Sequence, residues 1–337
     1  MDFNSILFPS PQEDKYPQMK YNKGKLLFVP KPITENSKNE KMHHIPCMYN
    51  PTTFIEKPSN KIFIYFHGNA EDIFNATNNV LMINNGSPLN TLCMEYPGYS
   101  IYYSEKSAET IEQDSLILYD FLTQECKINN KDIIICGRSI GTGPATYLAS
   151  KRKPGALILI SPIKSLRETV KNLIGPLQYL VRDRFDNYER IKDVTCPLLV
   201  IHGQKDSLIP FEDSIKLCER TAGPYELLLP EDMNHNDVHI YEDFFEPIQN
   251  FLKRHNMLNY KEKEVNFDKK YFEIPDYLEN KDQNINNNDW MSSLVRKLLN
   301  LSLTKNCKGP IKFFAVSFND LIGDINIKAP GFLFDAR

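Results

Sequence analysis

Short apolar runs rich in β-branched residues alternate along the chain with longer stretches whose apolar positions recur at helical spacing. The runs Lys61 to Phe66, Thr91 to Tyr96, Asp132 to Cys136, Ala156 to Ile160, Leu198 to His202 and Tyr225 to Leu229 read as strands. Most of their positions are apolar rather than alternating with polar ones, the pattern of strands covered on both faces. Ser107 to Thr123, Thr142 to Lys151, Phe211 to Arg220 and Asp243 to His255 read as helices. This alternation predicts an α/β fold with a mostly parallel central sheet and helices on both faces. Leu26 to Pro30 and Met42 to Tyr49 are expected to add antiparallel strands at one edge.

The pattern changes after about residue 258. Lys261 to Asp289 is charged and Asn-rich, which predicts a polar linker over 259–289 following a main domain over 1–258. In the extension 290–337, Trp290, Met291, Leu294, Val295, Leu298 and Leu299 share the spacing of an amphipathic helix, with Arg296 and Lys297 opposite. Docking onto the main domain is its expected use, ahead of a membrane or partner surface.

Composition narrows the function classes. Apolar residues make up 41% of 337 residues and the formal net charge is -3, as expected of a globular protein of near-neutral balance. No basic run or basic-aromatic stripe marks a nucleic-acid partner. Seven cysteines at irregular spacings form no Cys-x-x-Cys pair and no disulfide framework, which predicts a reducing, cytoplasmic setting. The first twelve residues lack a basic segment followed by an apolar one, and no stretch approaches the roughly eighteen apolar residues of a membrane span. The expectation is therefore neither secretion nor membrane spanning, with peripheral membrane contact left open. Asp2 is incompatible with N-myristoylation.

The chemistry is concentrated where the predicted strands end, as open parallel sheets require. Ile133 to Cys136 runs into Gly137-Arg138-Ser139-Ile140-Gly141 and then into a predicted helix, the pattern of a nucleophile elbow. Such a turn projects the Ser139 hydroxyl and tolerates only small residues two positions either side. After Lys61 to Phe66 comes His67-Gly68-Asn69-Ala70, whose Asn69 main-chain N–H, with that of Ile140, is the expected oxyanion hole; His67 itself reads as structural. His202-Gly203-Gln204-Lys205-Asp206 places a carboxylate past a buried strand, and Asp232-Met233-Asn234-His235 places an imidazole past the next. The order Ser139, Asp206, His235 is the order that this kind of fold needs for nucleophile, acid and general base. His239, four residues on, is the weaker candidate for the base. No metal-ligand spacing accompanies these histidines.

Together with Glu95-Tyr96-Pro97-Gly98-Tyr99-Ser100, Asn236-Asp237 and the opening Ile6-Leu7-Phe8-Pro9-Ser10-Pro11, these motifs make the chain resemble the α/β-hydrolase superfamily. The narrower resemblance is to the alpha/beta hydrolase domain-containing protein 17 subfamily of protein depalmitoylases and its prolyl oligopeptidase-like relatives. It covers roughly residues 5 to 255. The resemblance implies a Ser139, Asp206, His235 triad, main-chain donors at Asn69 and Ile140, no metal and no organic cofactor. It further implies ester or thioester hydrolysis through an acyl-enzyme, on an acylated protein or lipid-like substrate. Ser100 stands where that subfamily usually has a second glycine, and its cysteine-rich N-terminus has no counterpart here. Between Ser161 and Val194, apolar side chains that include Leu173, Ile174 and Leu177 suit either a short lid over an acyl chain or packing against the sheet. Two other readings stay open: a serine peptidase or short-chain or lipid esterase of the same fold, and a non-catalytic scaffold that uses the fold for binding.

Overall fold

A computed structural model describes residues 8, 26–32, 44–169 and 184–279. Its strands are β1 (Leu26–Pro30), β2 (His44–Asn50), β3 (Ile62–Phe66), β4 (Asn90–Met94), β5 (Ile133–Arg138), β6 (Ala156–Ile160), β7 (Leu198–Ile201) and β8 (Tyr225–Leu228). Among the described residues these form one eight-stranded sheet in the order β1-β2-β4-β3-β5-β6-β7-β8. The pairs β1/β2 and β2/β4 are antiparallel and all others parallel, so the antiparallel strands gather at one edge.

Every residue of β3, β4 and β6 is buried, and the side-chain period of two sorts them onto two faces. Ile62, Ile64, Ile133, Ile135, Leu157, Leu159, Leu198 and Val200 share one apolar cluster; Phe63, Tyr65, Ile134, Cys136, Ile158, Leu199 and Ile201 share the other. Helices α2 (Ala108–Asp120), α3 (Thr142–Lys151) and α4 (Glu212–Arg220) cover the first face. Helices α1 (Ile73–Gly86) and α5 (Glu246–Arg254) cover the second. Each large side chain sealed in this way contributes about 1.5–3 kcal/mol. The architecture is the expected α/β class: a mixed, mostly parallel sheet with helices on both sides.

Two expectations need correction. The sequence pattern assigned no helix between β3 and β4, where α1 runs for fourteen residues. Five asparagines (75, 78, 79, 84 and 85) depress its helix propensity, but Ile73, Ala76, Val80 and Ile83 recur at three- and four-residue spacing and all are buried. Asp72 caps it, accepting from the Phe74 and Asn75 amides at 3.0 and 2.8 Å. Tertiary burial overrides propensity here. The second correction concerns the stretch expected to be a polar linker from residue 259. Up to residue 279 the stretch is anchored on the core at a few points although most of its residues are exposed: Glu262 bridges to Ser59, and Val265 and Phe267 are buried. The Phe267 ring lies 6.2 Å from Phe121, nearly parallel, and meets Tyr49 edge-on at 4.9 Å. Two apolar side chains spaced by one residue anchor an otherwise charged segment, a signal that composition alone averages away. Residues 280–289, the amphipathic stretch from Trp290 and the rest of the extension lie outside the described residues.

Phe267→Ala tests this anchoring. Removing the ring is expected to cost about 3 kcal/mol in urea unfolding. A change below about 1 kcal/mol would place residues 259–279 outside the cooperative fold.

Candidate active site

The end of β5 is shaped by close approach. Ser139 adopts φ +53°, a left-handed backbone that an L-residue rarely occupies. A Cβ on Gly137 would lie 2.4 Å from the Gly141 carbonyl oxygen, and one on Gly141 would lie 2.2 Å from that of Phe66. The turn therefore closes only with glycine at both positions. Its exit is tied down by Thr142, whose hydroxyl donates to the Ser139 carbonyl at 2.6 Å and accepts from Asn187 Nδ2 at 3.1 Å. No helix of the described residues is long and apolar enough to cross a membrane.

Ser139, Asp206 and His235 come together from three strand ends. Ser139 Oγ lies 3.0 Å from His235 Nε2, and His235 Nδ1 lies 2.7 Å from Asp206 Oδ2. The Asp206 side chain is fully buried, and Ser139 and His235 are buried as residues. Asp206 Oδ1 accepts from the Leu208 and Ile209 amides, each at 2.9 Å. Its Oδ2 also faces His202 Nε2 at 3.2 Å. Burial alone would raise the Asp206 pKa; the hydrogen bonds from His202 and His235 outweigh it and hold the carboxyl well below the usual carboxylate range. With Nδ1 facing a carboxylate, His235 is arranged to carry its proton there and to leave Nε2 as the acceptor toward the serine. His239 is exposed, with its backbone amide donating to Asp243 at 2.9 Å, and lies outside this constellation.

Asn69 lies two residues past His67, in the loop after β3, and Ile140 directly follows the serine. The Asn69 side-chain oxygen accepts from the Tyr99 hydroxyl at 2.8 Å and the Ala70 amide at 3.2 Å, which secures the loop from the side. Beneath it lies a fully buried pair, His67 Nε2 to Glu95 Oε1 at 3.1 Å, with His67 Nδ1 2.9 Å from the Gly68 carbonyl. Burial opposes charge on this ring, but the Glu95 carboxylate more than offsets it and raises the His67 pKa. Glu95 Oε2 also accepts from the Ile73 amide at the start of α1, so one carboxylate joins the loop to the helix. Leu173, Ile174 and Leu177, expected at an acyl-binding surface, lie outside the described residues. Among the described residues no three His, Cys, Asp or Glu side chains gather in a metal-binding arrangement.

His202, Glu95 and Arg138 stand within the sequence motifs and Glu71 directly follows Ala70, yet none of the four was expected to have a role. Arg138 Nη2 donates to the His235 carbonyl at 2.8 Å and its Nη1 donates to Glu71 at 2.9 Å. Their positions beside the predicted site residues were a local signal. The pairings of Glu95, Glu71 and Arg138 cross between loops and leave no spacing to read, whereas His202 meets Asp206 only four residues on, a spacing within one motif.

No protein-family model matches the chain. Alpha/beta hydrolase domain-containing protein 17B of Xenopus laevis is 31% identical over 197 residues, 58% of this chain and 67% of that protein. Its Xenopus tropicalis counterpart is 30% identical over 212 residues, 62% of this chain and 71% of that protein. This chain belongs to the alpha/beta hydrolase domain-containing protein 17 family. The human 17B protein, 29% identical over 220 residues, spans 65% of this chain and 74% of its own length. Among solved structures, a Pyrococcus furiosus esterase superposes with a TM-score of 0.56 at 17% identity, over 73% of this chain and 97% of that one. That likeness shows the fold, which is the α/β-hydrolase fold.

Membership of this α/β-hydrolase family gives Ser100 a physical reading. Where the resemblance implies glycine, Ser100 holds φ +44°, and its hydroxyl is buried with no hydrogen-bond partner among the described residues. The loop keeps a glycine-like backbone although the residue is not glycine.

Proposed function

We propose that the protein is a serine hydrolase that cleaves an ester or thioester through an acyl-enzyme, acting on acyl groups carried by protein cysteines. The observation that carries this reading is the unbroken line of hydrogen bonds from Ser139 Oγ through the His235 ring to Asp206, at 3.0 and 2.7 Å. His235 Nε2 accepts the serine proton as Oγ bonds to the acyl carbon. The carbonyl oxygen gathers negative charge and is met by the main-chain N–H groups of Ile140 and Asn69. The carbon–sulfur bond then breaks, and His235 returns its proton to the departing thiolate. Water repeats the sequence on the acyl-serine: its proton passes to His235, its oxygen bonds to the acyl carbon, and the Ser139 oxygen leaves and takes the proton back. Asp206 stays ionised throughout and stabilises the imidazolium. The resemblance to depalmitoylases supports the thioester and the acylated-protein substrate.

Labelling with a fluorophosphonate tests the enzyme reading: the wild type is expected to label and Ser139→Ala is not. A folded wild type that fails to label would instead support the binding-scaffold reading. Hydrolysis of acyl thioesters of increasing chain length tests the substrate, with rates expected to favour long chains. A maximum at acetyl would count against the acyl-protein substrate.

A further inference from the structure

Arg138 is the residue immediately before Ser139, yet its guanidinium makes no hydrogen bond to the serine. It reaches across the mouth of the site to two other loops. Nη1 donates to Glu71 Oε1 at 2.9 Å; Nη2 donates to the His235 carbonyl at 2.8 Å and approaches Asn236 Oδ1 at 3.3 Å. The second Glu71 oxygen, Oε2, accepts from the Gly68 amide at 3.1 Å. The loop after β3, the elbow and the histidine loop are therefore joined through one ion pair. Both partners are largely sheltered, with side chains 18% and 19% exposed, so water screens the pair less than it would on an open surface. The join is also tight: a Cβ on Gly68 would lie 2.9 Å from Arg138 Nη1, so the guanidinium rests against the loop backbone.

We propose that Arg138 and Glu71 act together as positioning residues that couple the oxyanion loop to the His235 loop. This rests on the serine-hydrolase reading for its catalytic consequence. Asp206 fixes the His235 ring, and Arg138 fixes the main chain that carries it. The ring is thus held at two points, one on each side of its Cα. Glu71 orients the guanidinium and, through the Gly68 amide, sets the loop that carries Asn69. A planar fork is needed because the donors must point to Glu71 and to the His235 carbonyl at once; the single nitrogen of a lysine, a compact charge, would satisfy one and release the other.

The test uses the full chain with Arg138→Gln, Arg138→Lys, Glu71→Gln and the Arg138→Gln/Glu71→Gln double variant. Amide hydrogen exchange is read for peptides covering 66–73 and 232–240. Arg138→Gln and Glu71→Gln are each expected to speed exchange in both peptides by roughly tenfold, with other peptides unchanged and a similar melting temperature. With a p-nitrophenyl ester, kcat is expected to fall about 10- to 100-fold in each single variant while KM stays within about threefold. The double variant is expected to resemble the worse single variant rather than their product, because both act through one unit. Arg138→Lys is expected to recover only part of the rate. Exchange that changes in one loop only, multiplicative kinetic losses, or turnover within twofold of wild type in Arg138→Gln would each overturn the coupling. A wild type that shows the exchange coupling but neither labels nor turns over would keep the coupling and remove the hydrolase reading.

Discussion

Asp206→Asn is expected to lower kcat by about 10^4 while the protein still folds. The reason lies in how fully the carboxylate is used. One oxygen faces imidazole N–H groups of His235 and His202; the other faces the amides of Leu208 and Ile209. An asparagine must turn its NH2 toward one of these donor pairs. Turned inward to the histidines, it favours the His235 tautomer that carries its proton on Nε2, where the base toward Ser139 should be. Turned the other way, it loosens the 206–209 turn that presents the remaining oxygen. His235→Ala removes the base itself and is expected to cost about 10^6. Single-turnover acylation with a short ester measures both, and an Asp206→Asn rate within tenfold of wild type would assign the acid elsewhere.

Gly141→Ala is expected to destabilise the protein by about 3 kcal/mol or more, the upper range for overpacking. Its backbone angle, φ -63°, suits any residue, so the penalty is purely steric. The added carbon would meet carbonyl oxygens of Phe66 and His67 at 2.2 and 2.5 Å, and backbone at the end of a central strand cannot swing aside. Either β3 or the elbow must shift, so the residual folded fraction should also lose its reactivity toward the fluorophosphonate. Gly68→Ala is a comparison of a different kind, because the nearest atom is Arg138 Nη1 at 2.9 Å, the end of a side chain rather than strand backbone; it can yield only by straining its bonds to Glu71 and the His235 carbonyl, so the smaller stability loss should come with slower turnover. Chemical unfolding of both variants decides the point; equal losses would show that the elbow is less tightly seated than its distances imply.

How much of this was legible depended on whether the signal was local. Strands β3, β5, β6 and β7 carry runs of four or more adjacent apolar residues, β4 and β8 shorter ones, and Leu26–Pro30 is a strand over the residues expected of it. The elbow is legible because its two glycines and serine are neighbours in the chain and its geometry demands them. Helix α1 was hidden by its asparagines, whose intrinsic preference opposes the buried stripe of Ile73, Ala76, Val80 and Ile83. The seat of Val265 and Phe267 was hidden by charged neighbours. Ser139, Asp206 and His235 were nominated by their places after strands, and the structure gathers them within hydrogen-bond reach. Arg138 and Glu71 lie 67 positions apart, and nothing in either neighbourhood announces the other.

The seat of Gly141 on the carbonyls of Phe66 and His67 has an evolutionary-engineering corollary. Nucleophile turn and neighbouring strand form a single casting, with no slack between them. A combinatorial library built on this scaffold would accumulate dead clones at 137, 141 and 203, the last because a carbon there would meet the Met233 carbonyl oxygen at 2.0 Å. Selectivity for a different acyl donor would have to be recruited from the periphery, leaving the chassis untouched.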